Sequence, residues 1–422
     1  MAEAHELIER RIYDVALERH RESPVVLLEG PRTVGKSTLL HALAGRLDAP
    51  VLDLDDIDTR EAARNDPATL LDRPGPLLID EYQHAPVLLD VIKTRLNASG
   101  HAGQFILTGS ARHEALPRAA QALTGRLQRL QILPLAQVEI DGTRPDLIAR
   151  LLRSPAEVVP SAPSQTTRED YVQRVVRGGF PIALVAGSDR SRWRWIDEYV
   201  RLTLERDVQE LSRVRQAHTL PVILERAAGQ TAQVLNVSAL AHGVGVDEKT
   251  ARDYLRLLES VFLLQLLPAW DRTLTKRTNA RPKVHMTDTG VSTRLLRLTP
   301  DKLARRDPTA LSEFGHPLET FAVGEILKEA AWTEEIAGYG HWRTRDDIEV
   351  DLVLEADDGS VVAFEIKTAG RVSGNDFRGL RKLRDVLGDA FVAGVALYTG
   401  VRSYTYEDRL HVMPIDRLWR SE

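Results

Sequence analysis

Eight residues, Gly30-Pro-Arg-Thr-Val-Gly-Lys-Ser37, constrain this chain more than any other stretch of it. They fit G-x-x-x-x-G-K-[ST] and stand between an apolar run, Val25–Leu28, that reads as a buried strand and an amphipathic run, Ser37–Leu47, that reads as a helix. Such a loop works only at a strand-to-helix junction. Its glycines let backbone N–H groups wrap phosphate oxygens, Lys36 neutralises the β- and γ-oxygens, and the Ser37 hydroxyl ligates Mg2+ at the helix N-terminus. The stretch expected to bind ATP and Mg2+ comprises Gly30, Pro31, Arg32, Thr33, Val34, Gly35, Lys36, Ser37 and Thr38. The flanks keep the same rhythm. Val51–Leu54, Leu77–Ile79 and Gln104–Thr108 read as further strands and Pro86–Asn97 as a helix, which predicts an α/β fold with a parallel sheet and flanking helices. Around Leu130–Leu135 the alternation fades.

Leu77-Leu-Ile-Asp-Glu81 is the matching partner, an apolar strand that delivers two acids at its C-terminal end. Asp80 would hold the magnesium through water, and Glu81 would polarise the attacking water. Alone, such a pair is more often a solvated strand end; after a phosphate loop that reading loses most of its weight. The next strand ends in Leu107-Thr-Gly-Ser-Ala-Arg112, where Ser110 or Thr108 could sense a γ-phosphate, the alternative being a plain turn serine.

At 422 residues the chain exceeds one ordinary core, and two to four domains are expected. The net charge of −5 gives no general attraction to nucleic acid, so any such contact must come from local patches. The absence of Cys removes disulfides, thiolate nucleophiles and Cys-based zinc sites. The opening Met1–Glu6 is acidic and polar, unlike a secretory signal, and the apolar stretches Phe180–Val185 and Val261–Leu267 are too short to cross a bilayer. The expectation is a cytoplasmic protein with no membrane partner.

The spacing predicts four regions: an ATPase domain over 1–150, a linker and helical region over 151–215, a winged-helix domain over 216–275 and a nuclease-like domain over 276–422. Ser154–Thr167 is a Pro/Ser/Thr/Ala-rich loop, and Trp193–Arg213 a long amphipathic helix. After a helix at Pro221–Thr231, Asn236–Ser260 has the grammar of a helix-turn-helix. Asn236 or Ser238 caps the first helix, Gly243 and Gly245 make the turn, and Asp247 with Glu248 opens the second. Lys249, Arg252 and Arg256 share one face, with Val244, Ala251, Tyr254, Leu255 and Leu258 on the buried side. That face could contact DNA, or the unit could serve packing and subunit contacts with its cations merely solvated.

Asp351, in the strand Val350–Glu355, is followed after thirteen residues by Glu365 in Val361–Lys367, where Glu365 and Lys367 point to one face. D…E-x-K is the arrangement of the PD-(D/E)xK nucleases. There two carboxylates, here Asp351 and Glu365, hold Mg2+ or Mn2+, and the lysine, here Lys367, activates water. Glu319, on a helix at Leu318–Ala331, resembles their additional acid, and Arg343 and Arg345 could meet backbone phosphates. Taken alone the pattern is weak, because alternating charge on an exposed strand is common. His285, His316 and His341 are scattered without metal-ligand spacing.

These motifs together resemble prokaryotic AAA-type ATP-binding proteins that carry a large C-terminal domain of unknown function. The likeness rests on Gly30–Ser37, Leu78–Glu81, Phe105–Ser110, Gly125-Arg126 and Leu133–Glu139. It continues through Gly178–Pro181, Leu204–Asp207, Thr287–Gly290, Leu318–Phe321, Glu349–Asp351 and Glu365–Lys367. The resemblance implies a homo-oligomer, with a hexameric ring as one form, and marks Arg126 as a candidate arginine finger across a subunit boundary; a salt-bridged turn residue is the equal alternative. Arg206 and Asp207 read by default as a helix-surface ion pair. Two functions remain open. One is an ATP-driven enzyme on nucleic acid, DNA before RNA, whose last domain cuts. The other is an ATP-gated switch that binds DNA or protein, with the nuclease-like fold as scaffold.

Overall fold

The computed structural model describes residues 8–112, 123, 125–211, 216–273, 280–305 and 308–420. Met1–Glu6 and the final residues of the helix expected to reach Arg213 lie outside them. A helix α1 (Ile12–Glu22) leads into β1 (Val25–Glu29), α2 (Lys36–Leu47), β2 (Val51–Asp53), β3 (Leu77–Asp80), α3 (Val87–Ala98), β4 (Phe105–Gly109) and β5 (Leu127–Gln131). The five strands are parallel in the order β2-β3-β4-β1-β5. Side chains alternate across the pleat. Val26 and Leu28 of β1 join α1, α2 and the helices of the middle region, whereas Val25 and Leu27 join Leu88, Ile92 and Leu96 of α3. Covered on both faces, β1 and β4 read as unbroken apolar runs. At the sheet edge, β5 is Leu-Gln-Arg-Leu-Gln with only Leu130 buried, which is why periodicity fades there.

The middle region begins with α4 (Arg168–Arg177) and α5 (Asp189–Leu202). A π-helical turn at Thr203–Asp207 then interrupts the expected continuous helix before a last turn at Val208–Leu211. Next come α6 (Leu220–Gly229), β6 (Gln233–Val234), α7 (Val237–Ala241), α8 (Glu248–Ser260), β7 (Leu264–Leu267), β8 (Lys283–Met286) and α9 (Thr289–Leu295). Asn236 caps α7 by accepting from Ala239 N at 3.1 Å, and Asp247 caps α8 by accepting from Thr250 N at 2.7 Å. Ala251, Tyr254, Leu255 and Leu258 are buried and Val244 half-buried, while Lys249, Arg252 and Arg256 are exposed. The strands form an antiparallel sheet in the order β6-β8-β7, so its central strand lies beyond residue 275.

The C-terminal part contains α10 (Pro308–Ala331), β9 (Ile336–Arg343), β10 (Glu349–Ala356), β11 (Val361–Lys367), α11 (Arg378–Leu387), β12 (Phe391–Tyr398), β13 (Tyr404–Glu407) and β14 (Leu410–Pro414). Its six-stranded sheet runs β13-β14-β12-β11-β10-β9, parallel at β11-β12-β14 and antiparallel elsewhere. Leu352, Leu354, Val362, Phe364 and Ile366 pack in one core with Phe314, Leu318 and Phe321 of α10; the opposite face is covered by Leu380, Leu383 and Leu387 of α11. Among the described residues no helix is long and apolar enough to cross a membrane.

Candidate functional site

The phosphate loop joins β1 to α2, and its backbone shows why the motif needs glycine. At Gly30 a Cβ would collide with the carbonyl oxygen of Ile132, and Gly35 stands at φ +93°, where side chains are disfavoured. The Lys36 side chain is buried and donates to the carbonyls of Gly30 at 3.1 Å and Pro31 at 2.8 Å. Burial lowers its pKa, and the opposing pull of Glu81, Asp80 and Asp207 places all three carboxylates within its field. The loop and the acidic pair therefore meet at the C-terminal end of the parallel strands.

Asp80 accepts from the Thr108 hydroxyl, and that same hydroxyl accepts from Glu81 N at 2.9 Å. Thr108 thus ties the end of β4 to the end of β3. Glu81 sits in the left-handed region at φ +52°, a strained conformation of the kind that functional positions retain. Burial pushes its carboxyl up, but Lys36, the bond from Gln83 and Arg32 outweigh this and hold the pKa below the ordinary value, so Glu81 is ionised at neutral pH. Gln83 Nε2 donates to both Glu81 and Ser110 Oγ, the latter at 3.0 Å. Ser110 and Glu81 are therefore bridged, although nothing in the spacing of Gln83 announced it.

Three further placements matter. Arg32 Nε donates to Asp207 Oδ1 at 2.8 Å. The default reading of Asp207 as part of a surface pair is corrected: it is 7% exposed and reaches the phosphate loop, because the π-helical turn brings it there. Arg10, which the sequence did not single out, donates to Val34 O at 2.7 Å, Leu133 O at 2.8 Å and Glu139 Oε1 at 3.0 Å. Arg126 lies just before β5, at the opposite end of the sheet from the phosphate loop, and donates to Asn97 Oδ1 at 2.6 Å.

A second polar cluster forms in the C-terminal part. Asp351, Glu365, Lys367 and Glu319 do come together there. Lys367 Nζ donates to Glu365 Oε1 at 2.8 Å, and Ile366 N donates to Asp351 Oδ2 at 2.9 Å. A register shift against β9 between Val350 and Val353 falls at Asp351, a local break that can re-aim a side chain. At the centre stands Lys283, which the sequence did not single out. Its ammonium donates to Glu319 Oε1 at 2.8 Å and Asp351 Oδ1 at 2.9 Å and pairs with Glu349. Burial would lower the Lys283 pKa, but these carboxylates carry it well above the ordinary value. Burial and the neighbouring Asp351 charge raise Glu365 and Glu319, while Asp351, against its burial, is held low by Lys283. His285, His316 and His341 all lie within the field of Lys283, and burial lowers each of them, His285 to about 3. As arranged, the set does not fit a divalent ion: among the described residues no three His, Asp or Glu are placed to hold one, and the ammonium takes the central position. Arg343 and Arg345 are exposed, Arg343 pairing with Asp347 at 3.0 Å.

A parallel five-stranded sheet, with a phosphate loop after β1, the strand between β4 and β5, and an acidic pair after β3, has the architecture of a P-loop ATPase domain, here followed by a separate, mostly stranded C-terminal domain. Comparison agrees region by region: residues 22–141 match the AAA domain family, 168–302 a domain of unknown function (DUF8612) and 314–418 a domain of unknown function (DUF4143). The chain is similar to the uncharacterized proteins Rv2008c of Mycobacterium tuberculosis and Mb2031c of Mycobacterium bovis, each 29% identical over 98% of this chain and 85% of theirs. Among solved structures it is similar to the Walker-type ATPase PABY2304 of Pyrococcus abyssi, at 15% identity and TM-score 0.43, covering 69% of this chain and 97% of that one. AMPPCP-bound DnaA from Aquifex aeolicus matches at 14% identity and TM-score 0.30, over 59% and 86% respectively.

Proposed function

We propose that this chain is a Mg2+-dependent ATP hydrolase that works as a switch, its nucleotide state being passed to a nucleic-acid-binding middle region. The observation that carries the reading is the meeting of Lys36, Asp80 and Glu81 at one end of the sheet, with Arg32 of the same loop bonded to Asp207 of the middle region. The amides of Gly30–Thr38 and the Lys36 ammonium would hold the phosphates. Ser37 and, through water, Asp80 are hard-oxygen donors suited to Mg2+, which supplies charge neutralisation on the phosphates. Glu81, ionised and held by Gln83, would orient water for in-line attack on the γ-phosphorus, breaking its bond to the β-phosphate oxygen and leaving ADP and phosphate. Ser110, on the far side of Gln83, is suited to register whether the γ-phosphate is present. Arg126 stands too far along the sheet to serve its own loop, so its role as a finger would fall to a neighbouring copy in a homo-oligomer.

The middle region supports DNA as partner. α7, the turn and α8 with the β6-β8-β7 sheet have the grammar of a winged helix, and Lys249, Arg252 and Arg256 are presented to solvent from α8. Metal-dependent cutting by the C-terminal domain is favoured by the gathering of Asp351, Glu365 and Lys367, and disfavoured by the ammonium of Lys283 among the same acids. ATP turnover is the first test. Lys36→Ala should abolish it, and Glu81→Gln should slow it by about a hundredfold or more while ATP still binds. Wild-type turnover in either variant overturns the site.

A further inference from the structure

Lys283 enters the C-terminal cluster from another unit of the fold. It opens β8, the central strand of the middle sheet, while the acids around it stand on α10 and β10. Its side chain is 2% exposed, and its three N–H donors face three carboxylates, those of Glu319, Glu349 and Asp351, which satisfies the ammonium completely. One buried ammonium needs one counter-charge. Three converging carboxylates, with Glu365 beside them, offer more acceptors than one ammonium needs, a surplus of the kind a divalent cation uses, although with the ammonium in place no three of them are set to hold one.

The remaining donors point the same way. Both oxygens of Asp351 are committed, Oδ1 to Lys283 and Oδ2 to Ile366 N. Glu365 gives Oε1 to Lys367, but its Oε2 is buried without a hydrogen-bond partner. That atom is the ligand a metal would recruit and that a singly charged, fully bonded ammonium leaves over. A dication cannot share Glu319, Glu349 and Asp351 with the ammonium already between them, since like charges at contact distance in a buried site repel strongly.

We propose that this carboxylate cluster is a cation site that the chain fills itself: the Lys283 ammonium stands where a divalent metal would, and the cluster acts as a metal-free ionic lock between the middle sheet and the C-terminal domain. While β8 stays docked, the domain does no metal-dependent cutting. The proposal is independent of the ATPase reading, because none of its residues touches the phosphate loop.

The test is Mn2+ binding to the full chain without nucleotide, by calorimetry and by the paramagnetic signal of free Mn2+. Wild type and Asp351→Asn should bind Mn2+ alike, because Asp351 serves no metal. Lys283→Met should gain one Mn2+ equivalent, lost again when Asp351→Asn is added. If Lys283→Met folds poorly because its acids repel one another, millimolar Mn2+ should raise its thermal transition and leave that of wild type unchanged. Two results would overturn the lock. One is a wild-type Mn2+ site that disappears in Asp351→Asn; the other is a Lys283→Met chain that neither binds Mn2+ nor is stabilised by it.

Discussion

Arg10 shows how a phosphate loop is aimed from outside its motif. Its Nη1 fixes the carbonyl of Val34 at 2.7 Å. Because a peptide unit is planar and trans, holding that carbonyl on one side turns the N–H of Gly35 to the other. Arg10 is itself held by Glu139 Oε1, which also accepts from Arg11 N at 2.8 Å, while Oε2 accepts from Ala136 N at 2.8 Å. The glutamate that closes Leu133–Glu139 is thus part of the loop's support, 109 residues after Gly30. Arg10→Ala removes the side-chain donor to the Val34 and Leu133 carbonyls and the counter-charge of the buried Glu139, which keeps only its bonds from Arg11 N and Ala136 N, and should destabilise the chain by about 1–3 kcal/mol. Denaturant unfolding reads the loss, and calorimetry should show weaker ATP binding. Arg10→Lys should not restore either quantity, because three acceptors in a fixed fan need the guanidinium's fork. Wild-type ATP affinity in Arg10→Ala would mean that the loop keeps its shape unaided.

At the scale of elements, α10 works as a staple. Glu325 Oε2 accepts from Gln137 N at 2.6 Å, at the start of the short helix Gln137–Asp141, and Glu329 Oε1 accepts from Ile148 N at 2.7 Å, at the start of Leu147–Arg153. Two acids one turn apart on one helix therefore cap two helices at the end of the ATPase domain. Burial pushes the Glu329 carboxyl up to about 8 from an ordinary value of 4.5. The folded chain then binds a proton that the unfolded chain releases, so this contribution is complete below the unfolded value and is lost as pH rises from 4.5 to about 8. Melting curves between pH 5 and 8, a window of about three units inside that range, should fall more steeply for wild type than for Glu329→Gln. Parallel curves would show Glu329 ionised throughout. Legibility followed the same physics. Strands buried on both faces, such as Val25–Glu29, announce themselves, and so do capped helices such as Glu248–Ser260. The edge strand Leu127–Gln131 does not. Pro317 made Leu318 look like the first residue of a helix that in fact starts at Pro308, since proline favours helix starts. The site divides likewise. Motif residues were visible because phosphate chemistry fixes their spacing. Arg10, Lys283 and the role of Asp207 were hidden because a lone charge in sequence looks solvated, and only tertiary contact shows it held by a partner more than 60 residues away.

For the whole molecule, the contact that matters most is Arg32 to Asp207, since it joins the phosphate loop to the helices of the middle region. Asp207 lies at the end of the π-helical turn, and its neighbours Leu204 and Val208 belong to the same core as Leu224 of α6 and Leu255 of α8. A movement of that turn therefore bears directly on the packing of α8, the helix that presents Lys249, Arg252 and Arg256. A triphosphate brings negative oxygens to a loop where Asp207 already bonds Arg32 and lies within the field of Lys36, so phosphate and Asp207 compete for the same cations. Asp207→Asn removes the competing charge and keeps the shape. It should tighten ATP binding by several-fold, each tenfold corresponding to about 1.4 kcal/mol. It should also shrink the difference in DNA affinity between ATP- and ADP-loaded chain, measured by anisotropy in a Glu81→Gln background where ATP persists. Linkage makes the second effect checkable from either end: in the parent chain, DNA must change ATP affinity by the same factor by which ATP changes DNA affinity, and Asp207→Asn must reduce both together. If ATP tightens yet that factor is unchanged, the signal travels by another contact and Arg32–Asp207 is only a resting pair.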